Sequence, residues 1–324
     1  MVRSERRATS VTRWVLVSCV ACVLAASGSS AAQSRFSGIV VFGTSFSDPG
    51  NAFVLLGDSA TPPDFTLNPL LVPSAPYARG GHHFSNGATW IEQFARPIGL
   101  AGSVRPALAT TDPAVTNFAV GAARAYNDGI NFNLTRQVDN FLQRTGGVAS
   151  PQALYVIEIG SNDVRDAFAL YAAGGDGGAV LTQALASITA NIQRLYMAGA
   201  REFLLWSCPN VALTPAVRTL GPAAGVLATQ VTQLFNAGLA QTLGQLTVAL
   251  PGSTFVTLDA FQLLNAVVAA PASFDLTNVT SACVTPNAPP FTCQNVDEFL
   301  FWDGIHPTRA GHAILAREAA NVLQ

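Results

Sequence analysis

The chain has 324 residues, a formal net charge of −2 and only 11% charged residues, a balance that offers neither a basic footprint for nucleic acid nor an acidic tail. All 17 basic residues are arginine. Without a lysine amine, Schiff-base, pyridoxal-phosphate, phosphate-loop and Ser-Lys chemistries are excluded.

Arg3, Arg6, Arg7 and Arg13, the apolar stretch Trp14 to Ala26 and the small residues Ser30-Ala31-Ala32 read as a signal peptide over residues 1–32, which predicts a secreted or periplasmic protein. The apolar stretch falls short of the about 20 residues a membrane span needs. Arg6-Arg7 lacks the apolar run that follows a twin-arginine signal, and Cys19 and Cys22 lie inside the apolar stretch instead of at its end, so ordinary secretion without lipidation is expected. Residues 33–324 contain no linker, repeat or charge block and are expected to form one domain.

Along that domain, short β-like runs are predicted at Ile39 to Phe42, Thr116 to Val120, Leu154 to Ile159, Phe203 to Trp206 and Thr254 to Leu258. Helical patterns are predicted at Ala88 to Ala95, Leu134 to Gln143, Val164 to Tyr171, Val180 to Met197, Val226 to Leu246 and Ala310 to Leu323. Alternation of this kind means an α/β fold, a parallel sheet with helices on both faces. Its ligand crevice lies beyond the carboxyl ends of the strands, where Ser45, Gly121 and Asn162 fall. Pro62 to Ala78 lacks periodicity and is expected to be an irregular excursion over that end, covering the sheet edge or shaping an acyl or aglycone pocket.

Beyond the leader three cysteines remain. Cys283 and Cys293 bracket a Pro/Asn-rich loop in an exported chain and are expected to form a local disulfide, which leaves Cys208 as a buried thiol at a strand end. The four histidines are His82, His83, His306 and His312. No His-Glu-x-x-His or C-x-x-C spacing is present beyond the leader, so no metal is expected.

Ser45 follows the first strand at the start of a Gly/Asn-containing turn, where its hydroxyl is reachable. Asp303 precedes His306 by three residues, close enough to fold back, accept from one imidazole nitrogen and leave the other facing a serine. Asn162 ends another strand and can offer its amide to an oxyanion. His312 is expected to pack on the last helix, His82 and His83 to be solvated near the site rim, and Asp48 and Asp163 to be helix-start or turn carboxylates. The nucleophile elbow Gly-x-Ser-x-Gly fails as a template because Ser47 occupies its second glycine.

In order from Val41 to the last helix, these blocks resemble the GDSL family of SGNH hydrolases. The resemblance includes Phe84-Ser85-Asn86-Gly87 with Trp90, Asn117 to Ala123, Gly160 to Asp163, Cys208-Pro209-Asn210 and Trp302 to Thr308. It implies a three-layer flavodoxin-like fold and a cofactor-free esterase or lipase, or an acyltransferase using the same triad with an alcohol acceptor. The catalytic residues it implies are Ser45 as nucleophile, His306 as base and Asp303 as its orienter, with an oxyanion hole built from Ser45, Gly121, Ala122 and Asn162. Thr44 stands where the pattern has aspartate, keeping a hydroxyl, and Ala122 stands where a second glycine is expected, keeping its N–H. A binding protein that kept the fold and lost the activity is the contrasting expectation. The expected partner is a small-molecule or lipid ester, met by a monomer in transient contact with a lipid surface.

Overall fold

Strands that are apolar at nearly every position must be covered on both faces; three of the predicted runs are buried that way, and a fourth, with Thr254 and Thr257 exposed, lies at the end of the strand order. β1 (Ile39–Gly43), β2 (Leu154–Glu158), β3 (Glu202–Trp206) and β4 (Thr254–Leu258) form one parallel sheet in that order. Ile39 lies opposite Leu154, Leu154 opposite Glu202, and Glu202 opposite Thr254. The structure, a computed structural model, describes residues 1–2, 34–56, 82–284 and 292–324. The expected leader, the Pro62 to Ala78 excursion and most of the loop between Cys283 and Cys293 lie outside the described residues. The chain divides into the units Met1–Ser30 and Ala31–Gln324, and every described helix and strand lies in the second.

The helices are α1 (Asn51–Leu56), α2 (Trp90–Ala95), α3 (Leu134–Arg144), α4 (Ser161–Ala172), α5 (Gly177–Ala198), α6 (Pro215–Arg218), α7 (Pro222–Ala249), α8 (Ala260–Ala269) and α9 (Arg309–Val322). Alternate strand residues feed two separate cores. Val40, Phe42, Tyr155, Ile157, Phe203 and Leu205 pack with Leu134, Val138, Val164, Ile188 and Phe235 from α3, α4, α5 and α7. Ile39, Val41, Val156, Leu204 and Trp206 face the other way, onto Trp90 and Phe94 of α2 and Ala316 and Ala319 of α9. The result is the expected three-layer arrangement.

The predicted strand Thr116 to Val120 is corrected. It runs beside β1, with Val41 N–H donating to Thr116 O, Phe118 N–H to Val41 O and Val120 N–H to Gly43 O, yet it makes only isolated bridges at Asn117. The reason lies in β1: Gly43 N–H, which would extend the ladder to this segment, donates instead to Gln137 Oε1 at 2.8 Å, while the Asn117 side chain accepts from Ala119 N–H and donates to Ser47 O on the side away from β1. Counting this segment outside β1, the spatial order is the flavodoxin-like 2-1-3-4-5, and the switch point falls at the ends of β1 and β2. α1, α6 and α8 were not anticipated, nor was the parallel pair β5 (Asn278–Ala282) and β6 (Phe299–Phe301), which leads into the Asp303/His306 turn.

Candidate active site

The turn after β1 is held by side chains from elsewhere in the chain. Gln137 of α3 closes a two-bond fork on Gly43, accepting from its N–H at 2.8 Å and donating to its carbonyl at 2.9 Å. Glu158, at the end of β2, accepts from Thr44 N–H at 3.0 Å, from the Thr44 hydroxyl at 2.9 Å and from the Ser47 hydroxyl at 3.0 Å. Trp90 Nε1–H donates to Ser47 Oγ at 2.9 Å. Glycine is required at 43, since a Cβ there would stand 2.9 Å from Glu158 Oε2 and from its carbonyl oxygen. Ser45, between Thr44 and Ser47, is thereby presented at the rim of the sheet.

The second turn is closed on its functional side by its own aspartate, while Ala216 N–H donates to Gly304 O and the Ser85 hydroxyl to Pro307 O. Asp303 Oδ1 accepts from Ile305 and His306 N–H at 2.8 and 2.7 Å, while its Oδ2 lies 2.7 Å from His306 Nδ1. A carboxylate can only accept, so Nδ1 carries the proton and Nε2 is the acceptor. That Nε2 is 2.7 Å from Ser45 Oγ. Asp303 is fully buried and His306 nearly so, its ring flanked by Phe46 and Phe84 at centroid distances of 6.0 and 5.2 Å. Immediately beyond, the Thr308 hydroxyl accepts from Gly311 N–H and starts α9, fixing the turn to a packed helix.

The oxyanion candidates separate. Gly121 N–H is already engaged, donating to Asp48 Oδ2 at 2.8 Å. From Phe118 to Tyr126 every backbone N–H finds an acceptor among the described residues except that of Ala122. Ala122 sits at φ +64°, a left-handed conformation a glycine would adopt without strain. Of this pair, Gly121 N–H is committed to Asp48, and Ala122 N–H is the one that meets no acceptor among the described residues. Asn162, near the start of α4, spends one amide hydrogen on Ala123 O at 2.8 Å and lines the same cleft as Ser45.

Asp48 bonds the N–H groups of Gly50, Asn51 and Ala52 at the start of α1, and Asp163 those of Ala125 and Tyr126, so both are scaffold carboxylates. Burial pushes each up to about 6 against these bonds. His312 is buried, accepts from Trp90 N–H at 3.2 Å, and is pushed by burial down to about 3, which keeps it neutral. The expectation of solvation is corrected for His83, while His82 is half-buried. His83 is buried with Nε2 2.8 Å from Glu92 Oε2, and His82 stacks on Phe53 at 3.6 Å. Cys283 and Cys293 are bridged, and Cys208 is a buried thiol. Among the described residues no cluster of His, Cys, Asp and Glu is able to hold a metal ion.

Two residues essential to the site's architecture escaped sequence reasoning, Gln137 and Glu158; the only available signal was a polar residue ending or facing an otherwise apolar run. The cleft over Ser45 is walled by Asn162, Arg165, Phe168 and Val217. Beside it, sharing Phe46, Pro209, Thr214 and Ile305 as a common wall, is an apolar cavity of about 520 Å³ including its open mouth, lined by Leu263, Val267, Leu300 and Ile314.

Comparison with known proteins places this geometry in context. One Arabidopsis thaliana GDSL esterase/lipase is 26% identical over 321 residues, covering 88% of each chain. A second is 26% identical over 274 residues, 73% of this chain and 70% of its own. Among solved structures, Axe2, an acetylxylan esterase from Geobacillus stearothermophilus, is similar over 90% of this chain and 95% of its own, at 17% identity and a TM-score of 0.41. The profile of GDSL-like lipases and acylhydrolases matches residues 39–319, and the chain belongs to that family of ester hydrolases.

Proposed function

We propose that this ester hydrolase works through an acyl-enzyme on Ser45, with His306 as base and Asp303 as its orienter. The observation that carries the reading is the continuous chain Asp303 Oδ2, His306 Nδ1, His306 Nε2, Ser45 Oγ, with both contacts at 2.7 Å. His306 Nε2 takes the serine proton as Oγ attacks the ester carbonyl. The tetrahedral oxyanion receives hydrogen bonds from Ser45 N–H, Ala122 N–H and the second Asn162 amide hydrogen, each such donor being worth about 3 kcal/mol in the transition state. The imidazolium then protonates the departing alcohol. Water, activated by the same nitrogen, releases the acid.

The ester is a lipid or other acyl ester, its chain lodged in the apolar cavity past Phe46 and Ile305. An acyl group stays bound through deacylation and gains from the apolar lining of that cavity, whereas the alcohol leaves from the more polar cleft over Ser45, beside Asn162 and Arg165. Residues 1–32 act as an export leader, residues 33–324 form the catalytic domain, and the mature monomer works outside the cytoplasm, where the Cys283–Cys293 bridge persists. The test is hydrolysis of p-nitrophenyl esters of increasing chain length by the parent and by Ser45→Ala, with phosphonate labelling mapped to its peptide. Equal turnover by the two proteins, or label on another residue, overturns the reading. Ile314→Phe, which narrows the cavity, is expected to depress turnover of long acyl esters while sparing the acetate.

A further inference from the structure

Ser45 itself makes few anchoring contacts; its position is inherited from its neighbours. Three donors around it, the Thr44 N–H, the Thr44 hydroxyl and the Ser47 hydroxyl, converge on Glu158, whose side chain is nearly fully buried. A carboxyl group in a core is costly unless its oxygens are matched. Here its bonds end on the turn that carries the nucleophile and, through Ser47, on Trp90 of α2. Thr44 occupies the position where an acidic residue is expected, and an acid there would stand within contact of Glu158.

We propose that Glu158 is the positioning residue of the nucleophile turn, supplying from the end of β2 the carboxyl group that the turn itself lacks at Thr44. The inference rests on Ser45 being the nucleophile. Glu158 makes no contact with the reacting atoms; it sets where the Ser45 hydroxyl and Ser45 N–H stand relative to His306 and the oxyanion. Residues 44 and 158 therefore form an exchangeable pair that holds one acid between them. Two acids repel, and none leaves the turn unbraced.

The experiment is a double-mutant cycle on the full chain, read by p-nitrophenyl butyrate kinetics and by the rate of phosphonate labelling at Ser45. Glu158→Ala is expected to lower kcat about 100-fold with KM nearly unchanged, the penalty of a displaced reacting group. Labelling should slow in parallel. Thr44→Asp alone should also lower kcat, whereas Thr44→Asp combined with Glu158→Ala should recover about tenfold over Glu158→Ala, as residues in direct contact couple. A Glu158→Ala enzyme within about threefold of the parent, or a double variant no faster than it, overturns the proposal. Should Glu158→Ala not fold, Thr44→Asp is compared with Thr44→Asp/Glu158→Gln. The double variant must then be the faster, and equal or slower turnover overturns the proposal. If the parent and Ser45→Ala behave alike on every ester, it is the esterase reading that fails, a result distinct from an unresponsive cycle in an active parent.

Discussion

The two turns that meet at the site are built by different means. In the Asp303/His306 turn the functional pairing is local: Asp303 caps two N–H groups and orients the imidazole within four residues of chain, while Ala216 N–H and the Ser85 hydroxyl only brace the carbonyls of Gly304 and Pro307 from outside. The nucleophile turn depends on Gln137, Glu158, Asn117 and Trp90, all contributed from other elements. A locally closed motif can be read from spacing alone. A motif braced from outside can be read only as far as its own residues go.

The contrast is broken most severely at the local turn. Asp303→Asn should lower kcat by about 10⁴, because the wrong imidazole tautomer then faces Ser45. Steady-state kinetics at saturating ester measure it. On the externally braced side, Asn162→Ala should lower kcat by about 10² to 10³ with little change in KM, since its amide meets charge present only in the transition state. A rise in KM alone would make Asn162 a ground-state binding group.

The brace also has a pH signature. Burial pushes Glu158 from its ordinary 4.5 up to about 7. Between those values the folded state holds a proton that the unfolded chain has released, so stability is lost as pH rises through the interval. The loss is about 3 kcal/mol and is complete above about pH 7. Melting curves of the parent and Glu158→Gln from pH 4 to 8 should therefore show the parent's advantage shrinking with rising pH, and a constant difference contradicts this. Near the local turn, replacing both bridged cysteines by serine should cost about 2 to 4 kcal/mol in denaturant unfolding. The smallest effect sharpens the assignment of the oxyanion donor. Ala122→Gly should relieve about 1 kcal/mol of left-handed strain, offset in part by added chain entropy, while kcat is kept.

The framework was legible where burial is two-sided. The predictions for β1, β2 and β3 match to within a residue because mainly apolar runs have no other stable home, and β4 was read correctly from its β-branched and aromatic residues although its threonines are exposed. α8 was missed because its apolar sequence follows β4 with only Asp259 between them, and that aspartate is its N-cap, accepting from Gln262 N–H. Thr116 to Val120 carried the right composition for a strand and runs beside β1, but the Gly43 N–H that would continue the ladder is taken by Gln137 of α3. At the site, the spacing of Asp303 and His306 foretold their contact, whereas Glu158 looked like the polar end of a strand. His83 looked solvated because its loop is rich in glycine; its partner Glu92 belongs to α2 and is spatially, not locally, adjacent. Composition could not tell which N–H was free between Gly121 and Ala122, because the answer depends on Asp48 reaching across 73 positions.

Ser45 and His306 are separated by 261 positions. During synthesis the ribosome therefore delivers Ser45 directly after the first strand of the main sheet, and His306 only after all four of its strands have emerged. On the proposed mechanism, a chain arrested before residue 306 carries a serine with no base and is inert toward the esters around it. Chain order then acts as a timer that holds the proposed chemistry back until the Asp303/His306 turn has emerged.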